Sequence, residues 1–180
     1  MSQFAIHPPH RIFYSLSIAF CVDSAIRSLD VVAEVMQHIE STQDHNLFAD
    51  ADSQLVLNAL QNVIIQGAAL SRYFWPVDKK YKTRGVELRK QYSVIESSPL
   101  KSRELRNSIE HFDEKLDDYL QGGIIGNIVP HYFGPQVKPD GIPRHFFRAY
   151  FTDTGVFEIL GKRYEIEPIA VELWRMHEKS

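Results

Sequence analysis

Arg106, Asn107 and His111 lie within one short run, Leu105-Arg106-Asn107-Ser108-Ile109-Glu110-His111-Phe112-Asp113-Glu114-Lys115-Leu116-Asp117. Histidine titrates near neutral pH and can take or give a proton in a transition state. Arginine can hold a non-bridging phosphate oxygen through paired N–H donors and stabilise the charge that develops there. Asparagine can orient the imidazole or a substrate hydroxyl. The set suits holding and cleaving a phosphodiester. The same residues also suit an ordinary solvated helix face.

On a uniform helix the two readings meet a geometric problem. At about 100° per residue, Asn107 and His111 share one line of the surface, and Arg106 and Glu110 share another. Arg106 and His111 then stand about 140° apart and about 7.5 Å along the axis. One copy splits the pair, so a partner helix or a second copy of the chain is expected to complete any site. Lys101 and Arg103, just upstream, are candidates for contacts to a phosphate backbone. They belong to a basic stretch from Lys79 to Arg106 holding nine basic and three acidic residues. From Glu110 to Asp118 the balance reverses, with five acidic residues against Lys115. A basic patch attracts phosphate, and a dense acidic run repels it.

These residues need a helix to carry them. Ser98-Pro99 is a helix-start signal, with Ser102 as a competing cap. Leu105, Ile109, Phe112, Leu116 and Leu120 then form an apolar stripe that ends near Gly122-Gly123. Upstream, Ile12, Leu16, Ala19, Ile26, Leu29, Ala33, Met36 and Ile39 predict a helix from Arg11 to about Glu40 with those residues facing the core. A second helix is expected from about Asp52 to Phe74, stopped by Pro76, with Gly67 permitting close packing. A third, less regular one is expected from Lys79 to Glu96. Helices joined by short connections predict an antiparallel four-helix bundle over residues 1–121.

After Gly122 the period changes. Strands are expected at Ile124–Val129, His145–Phe151, Val156–Leu160 and Arg163–Ile166, with a Gly161-Lys162 hairpin turn and a last helix opening at Pro168. The expected fold is mainly α, with residues 122–180 forming a small antiparallel β-meander and terminal helix. A sheet of this size must pack on the bundle or on a partner chain.

The whole chain is consistent with one core: 180 residues, 44% hydrophobic, net charge −3. That net charge exerts no global pull toward nucleic acid. Cys21 is the single cysteine and sits in an apolar run, so it reads as a small buried hydrophobe. No apolar stretch is long enough to span a membrane, and a cytoplasmic location is expected. His7, His10, His131 and His145 have no zinc-site spacing, and Gly122-Gly123-Ile124-Ile125-Gly126 lacks the surroundings of a dinucleotide fingerprint, so no metal and no cofactor are expected. Tyr132, Phe133, Phe146 and Phe147 read as a sheet-packing face rather than a base-stacking one, and Trp75 and Trp174 as packing anchors.

Arg106-Asn107, three residues, then His111 resembles the Arg-Asn-x-x-x-His form of the signature of the HEPN superfamily of helical-bundle proteins. Its place near the start of the last long bundle helix fits. The fuller string around it, and Ala68-Ala69-Leu70-Ser71-Arg72-Tyr73-Phe74-Trp75-Pro76 at the end of the second helix, resemble a group of uncharacterised bacterial HEPN-like proteins. The resemblance covers roughly residues 11–121. It implies a homodimeric, metal-independent endoribonuclease of toxin or defence type. Arg106 would bind the scissile phosphate, His111 would be the acid/base, and Asn107 would align His111 or the RNA. The implied partners are a second copy, RNA, and a protein partner or antitoxin. Other members are non-catalytic, which keeps open a binding or regulatory protein acting through protein or nucleic-acid contacts. The segment from Gly122 onward is not part of the simple bundle.

Overall fold

The computed structural model describes residues 6–42 and 50–179, apart from the side chains of residues 42, 50–52, 105 and 106. Two long helices dominate, α1 (Arg11–Thr42) and α2 (Asp50–Phe74). They run antiparallel. Ile18, Val22 and Ala25 of α1 share a core with Val63, Leu70 and Phe74 of α2, whereas Val32 and Ile39 share one with Val56, Leu57 and Leu60. Between these cores the amides expected on the apolar stretch of α2 form a polar rung. Asn62 donates to the Ser28 hydroxyl at 2.8 Å and to the Ser24 hydroxyl at 3.2 Å, and Gln66 donates to Asn62 at 3.1 Å. Paired this way, the half-buried amides fix the register of the two helices instead of penalising it.

The inward face of α1 differs from the expected stripe. Ile18, Cys21, Val22, Ala25 and Ile26 are buried, but Ile12 and Leu16 point outward, together with Phe13 and Phe20. The first half of α1 is apolar on two sides, and packing selects the one carrying Ile18 and Val22. Beyond Asp23 the outward side turns polar.

Shorter helices surround this pair: α3 (Lys82–Tyr92), α4 (Glu104–Glu110), α5 (Phe112–Gln121) and α6 (Glu167–His177). Leu88 and Tyr92 of α3, and Leu173 and Met176 of α6, complete the first core. Gly85 lets α3 approach closely, since a Cβ there would stand 2.6 Å from the Phe74 carbonyl oxygen and 2.6 Å from Pro76 Cδ. Gly67 meets Leu100 and Ile169 rather than another long helix. The expected helix start at Ser98-Pro99 is only one 3-10 turn, Pro99–Lys101. The Ser98 hydroxyl donates to Glu172 of α6 at 3.0 Å instead of capping a helix. The long helix expected from Ser102 to Leu120 is divided at His111 into α4 and α5.

Four strands follow, β1 (Asn127–Gly134), β2 (Arg144–Phe151), β3 (Val156–Ile159) and β4 (Lys162–Glu165), in the spatial order of the sequence. The sheet is not a fully antiparallel meander. β1 pairs parallel to β2, and only the β2–β3 and β3–β4 pairs are antiparallel. The chain must therefore travel back along β1 through residues 135–143. At about 3.3–3.6 Å per residue that segment reaches the start of β2 only when well extended, and Pro135, Pro139 and Pro143 favour extended backbone. Val137 from this segment covers Phe146 and Phe151 on the outer face of the sheet. The hairpin turn is Leu160-Gly161, both at positive φ, one residue earlier than expected and of the type that matches strand twist. The inner face contributes Phe133, Phe157, Ile159 and Leu160 to the second core with α1 and α2, so the sheet packs on the helices. No helix among the described residues is long and apolar enough to cross a membrane.

Candidate functional site

His111 is the junction between α4 and α5. Its φ of −115° and ψ of 40° leave the helical region, yet its N–H still donates to the Asn107 carbonyl at 3.1 Å and its carbonyl accepts from the Lys115 N–H at 3.0 Å. The chain thus swivels by one peptide without losing these two bonds, and the uniform-helix angle between Arg106 and His111 no longer applies. Contacts on both sides hold this swivel. Glu110 accepts from Arg72 at 2.8 Å, tying the end of α4 to the end of α2. Ser108 is buried, with its hydroxyl 3.1 Å from the Tyr164 hydroxyl of β4. Phe112 lies beneath the Arg148 guanidinium of β2, 3.6 Å from its ring centre.

Asn107 is exposed. The His111 ring is 53% exposed and its Nδ1 is 3.8 Å from Glu114, an open pair that adds little stability. The β-strands leave both residues uncovered. The Arg106 side chain lies outside the described residues. Asp113, Glu114, Asp117 and Asp118 line the exposed side of α5, so the field beside the imidazole is acidic.

The two candidate backbone contacts have other partners. Lys101 pairs with Glu96 at 2.9 Å, and Arg103 donates to the Trp75 carbonyl at 2.8 Å. Arg103 is one of three arginines closing the C-terminal end of α2. Arg84 donates to the Arg72 carbonyl at 3.1 Å, and Arg89 to the Phe74 carbonyl. The last carbonyls of a helix lack intrahelical donors and carry the negative end of its dipole, so cations there satisfy both needs. Arg89 also pairs with Glu96 at 2.7 Å and lies over the Trp75 ring. Much of the basic stretch is thereby a cap. Lys101 and the Trp75 indole N–H, in that order, hold the Glu96 carboxyl below the usual glutamate range.

Sequence reasoning missed Arg148, whose half-buried guanidinium faces the cleft between α2 and the sheet. Nothing in the local pattern of β2 marked it. The histidines also separate. His145 Nδ1 is 2.7 Å from the Tyr119 hydroxyl, whereas His131 opens into the same cleft as Arg148. Among the described residues no group of three or more His, Cys, Asp or Glu is placed to hold a metal ion. Comparisons with protein families, with curated proteins and with solved structures found no match to this chain.

Proposed function

We propose that the chain is a HEPN-type, metal-independent endoribonuclease acting as a homodimer. The observation that carries this reading is the position of His111: it stands at the swivel between two helices, open to solvent and one turn from the exposed Asn107. In the proposed reaction the ribose 2′-oxygen attacks the adjacent phosphorus and the bond to the 5′-oxygen breaks. The products are a 2′,3′-cyclic phosphate and a 5′-hydroxyl. His111 moves the proton at one of these oxygens, Arg106 holds the non-bridging oxygens, and Asn107 aligns the imidazole or the RNA. The second copy brings its own Arg106, Asn107 and His111 across one groove, since Lys101 and Arg103 are engaged with Glu96 and Trp75 in each copy.

A second reading, a non-catalytic binding or regulatory protein, is favoured by the acidic flank of α5 and by the exposed apolar ridge of Ile12, Phe13, Leu16 and Phe20 on α1. One experiment separates the two. A panel of RNAs is incubated with the purified chain and with His111→Ala, with and without EDTA, and product ends and oligomeric state are determined. Cyclic-phosphate ends that persist in EDTA and vanish in the variant support the nuclease. Equal cleavage by both proteins, or none by either, removes it and leaves the binding reading.

A further inference from the structure

A cleft of about 340 Å³ opens between α2 and the paired strands β1 and β2, lined by Gln54, Leu57, Asn58, Gln61, His131 and Arg148. Its polar groups come from two rigid elements. Gln54, Asn58 and Gln61 follow one another at four- and three-residue steps, so they lie along one side of α2 over about 10 Å. His131 and Arg148 are register partners on adjacent parallel strands, so their side chains stand side by side on one face of the sheet.

Among the described residues, the amides of Gln54, Asn58 and Gln61 and the His131 ring make no hydrogen bond, and the Arg148 guanidinium makes neither a hydrogen bond nor an ion pair. Among the described residues, the guanidinium's ring partner is Phe112, which lies beneath it. Burial pushes the Arg148 guanidinium below the usual arginine range, which is the direction expected of a cation withdrawn from water without a counter-ion. Among the described residues no carboxylate lines the cleft. The arrangement differs from Arg84, Arg89 and Arg103, each of which donates to a carbonyl oxygen.

We infer that this cleft binds a nucleoside monophosphate, with its phosphate on Arg148 and His131 and its base on the amides of Gln54, Asn58 and Gln61. The guanidinium offers the planar pair of donors that a phosphate accepts. Each amide offers both a donor and an acceptor, the combination that reads the edge of a base. The volume is at the small end of ligand clefts, which suits one nucleotide rather than a longer strand. The Phe112 ring holds the guanidinium in place from below, and an absent acid leaves its outer edge for the ligand. This inference is independent of His111 and of RNA cleavage.

The test is calorimetric titration of the full chain at low ionic strength with AMP, GMP, CMP and UMP, alongside inorganic phosphate and the four uncharged nucleosides. At least one monophosphate is expected to bind about tenfold or more tightly than its nucleoside and than phosphate. Arg148→Met should weaken that monophosphate about tenfold or more. Asn58→Leu, at an exposed position of α2, should weaken the monophosphate while leaving phosphate unchanged. If Arg148→Met does not fold, Asn58→Leu and Gln61→Leu carry the test. Absence of binding by every monophosphate at millimolar concentration, or binding unaffected by the cleft substitutions, overturns the inference.

Discussion

Gly85→Ala isolates the close approach on which the capped end of α2 depends. Two effects oppose each other. Alanine is the better helix former by about 1 kcal/mol at an interior position. Against this, the new Cβ would stand 2.6 Å from the Phe74 carbonyl oxygen and 2.6 Å from Pro76 Cδ, where ordinary contact begins near 3.4 Å. Both obstacles are backbone or ring atoms, so α3 itself must recede by roughly 0.8 Å. That movement stretches the bonds from Arg84 and Arg89 to the Arg72 and Phe74 carbonyls. Overpacking costs typically about 1–3 kcal/mol, and a weakened charged hydrogen bond adds part of its roughly 1.5–3 kcal/mol. The clash therefore wins, with a net loss of about 1–3 kcal/mol. Urea unfolding followed by circular dichroism reads this directly, and the melting temperature should fall by about 2–4 °C per kcal/mol for a chain of this size. Gly67→Ala is the matched control. Its Cβ would meet only Leu100 Cδ2, at 3.3 Å, and Ile169 Cγ2, at 3.8 Å, both ends of side chains that can yield. That variant should lie within about 0.5 kcal/mol of the parent or above it. A Gly85→Ala chain as stable as the parent refutes the close-approach argument.

Arg103→Ala removes a donor from the Trp75 carbonyl and should cost about 1–2 kcal/mol in urea unfolding, while Lys101→Ala, which opens an exposed pair, should change stability by less than about 0.5 kcal/mol. Acid stability should depend on Glu96, whose carboxyl is held below the usual range in the folded chain by Lys101 and then Trp75. A lowered folded value means that its contribution is complete above the ordinary glutamate range and is lost as pH falls through the folded value. Glu96→Gln should therefore flatten the stability profile across that acid window, seen by urea unfolding at a series of pH values; an unchanged profile would reject the assigned contacts.

The long periodic segments were legible because their own residues determine them. Arg11–Thr42 and Asp50–Phe74 differ from the expected helices by only a few residues at each end, and Gly122 closes α5 where expected. Features set by distant contacts were not. The first half of α1 is apolar on two sides, and periodicity alone cannot say which one meets α2. The break at His111 involves no glycine or proline; the partners beside it, Arg72, Tyr164 and Arg148, come from three other elements. Strand orientation was equally hidden. The pattern of β1 is the same whether β2 runs with it or against it, and only the extension of residues 135–143 distinguishes the two. The phase of this pair also slips: Val129 and Tyr132, three residues apart, join one cluster, as do Phe146 and Ala149. Pro130, which has no N–H to donate, lies opposite Phe147 at the position missing from the register.

The arginines differ in their partners in a way that charge counting along the sequence does not show. Counted along the sequence, Lys79–Arg106 is the cationic stretch and β2 is unremarkable. Sorted by partner, the order reverses. Arg84, Arg89 and Arg103 serve the orphan carbonyls at the end of α2, and Lys101 serves Glu96. Each is held by a partner within the chain, and a phosphate would have to compete with that partner. Among the described residues Arg148 has no anionic or hydrogen-bonding partner, and an aromatic ring lies beneath it. A guanidinium half withdrawn from water and lacking an anion is destabilising to the folded chain taken alone. An incoming phosphate would relieve that cost instead of replacing an existing bond, so more free energy is available to a ligand at Arg148 than at Arg84, Arg89 or Arg103. Ionic strength offers a direct comparison: added salt should weaken an anion at Arg148 less steeply than one held at the open surface of α4 and α5, because a partly enclosed charge is screened less.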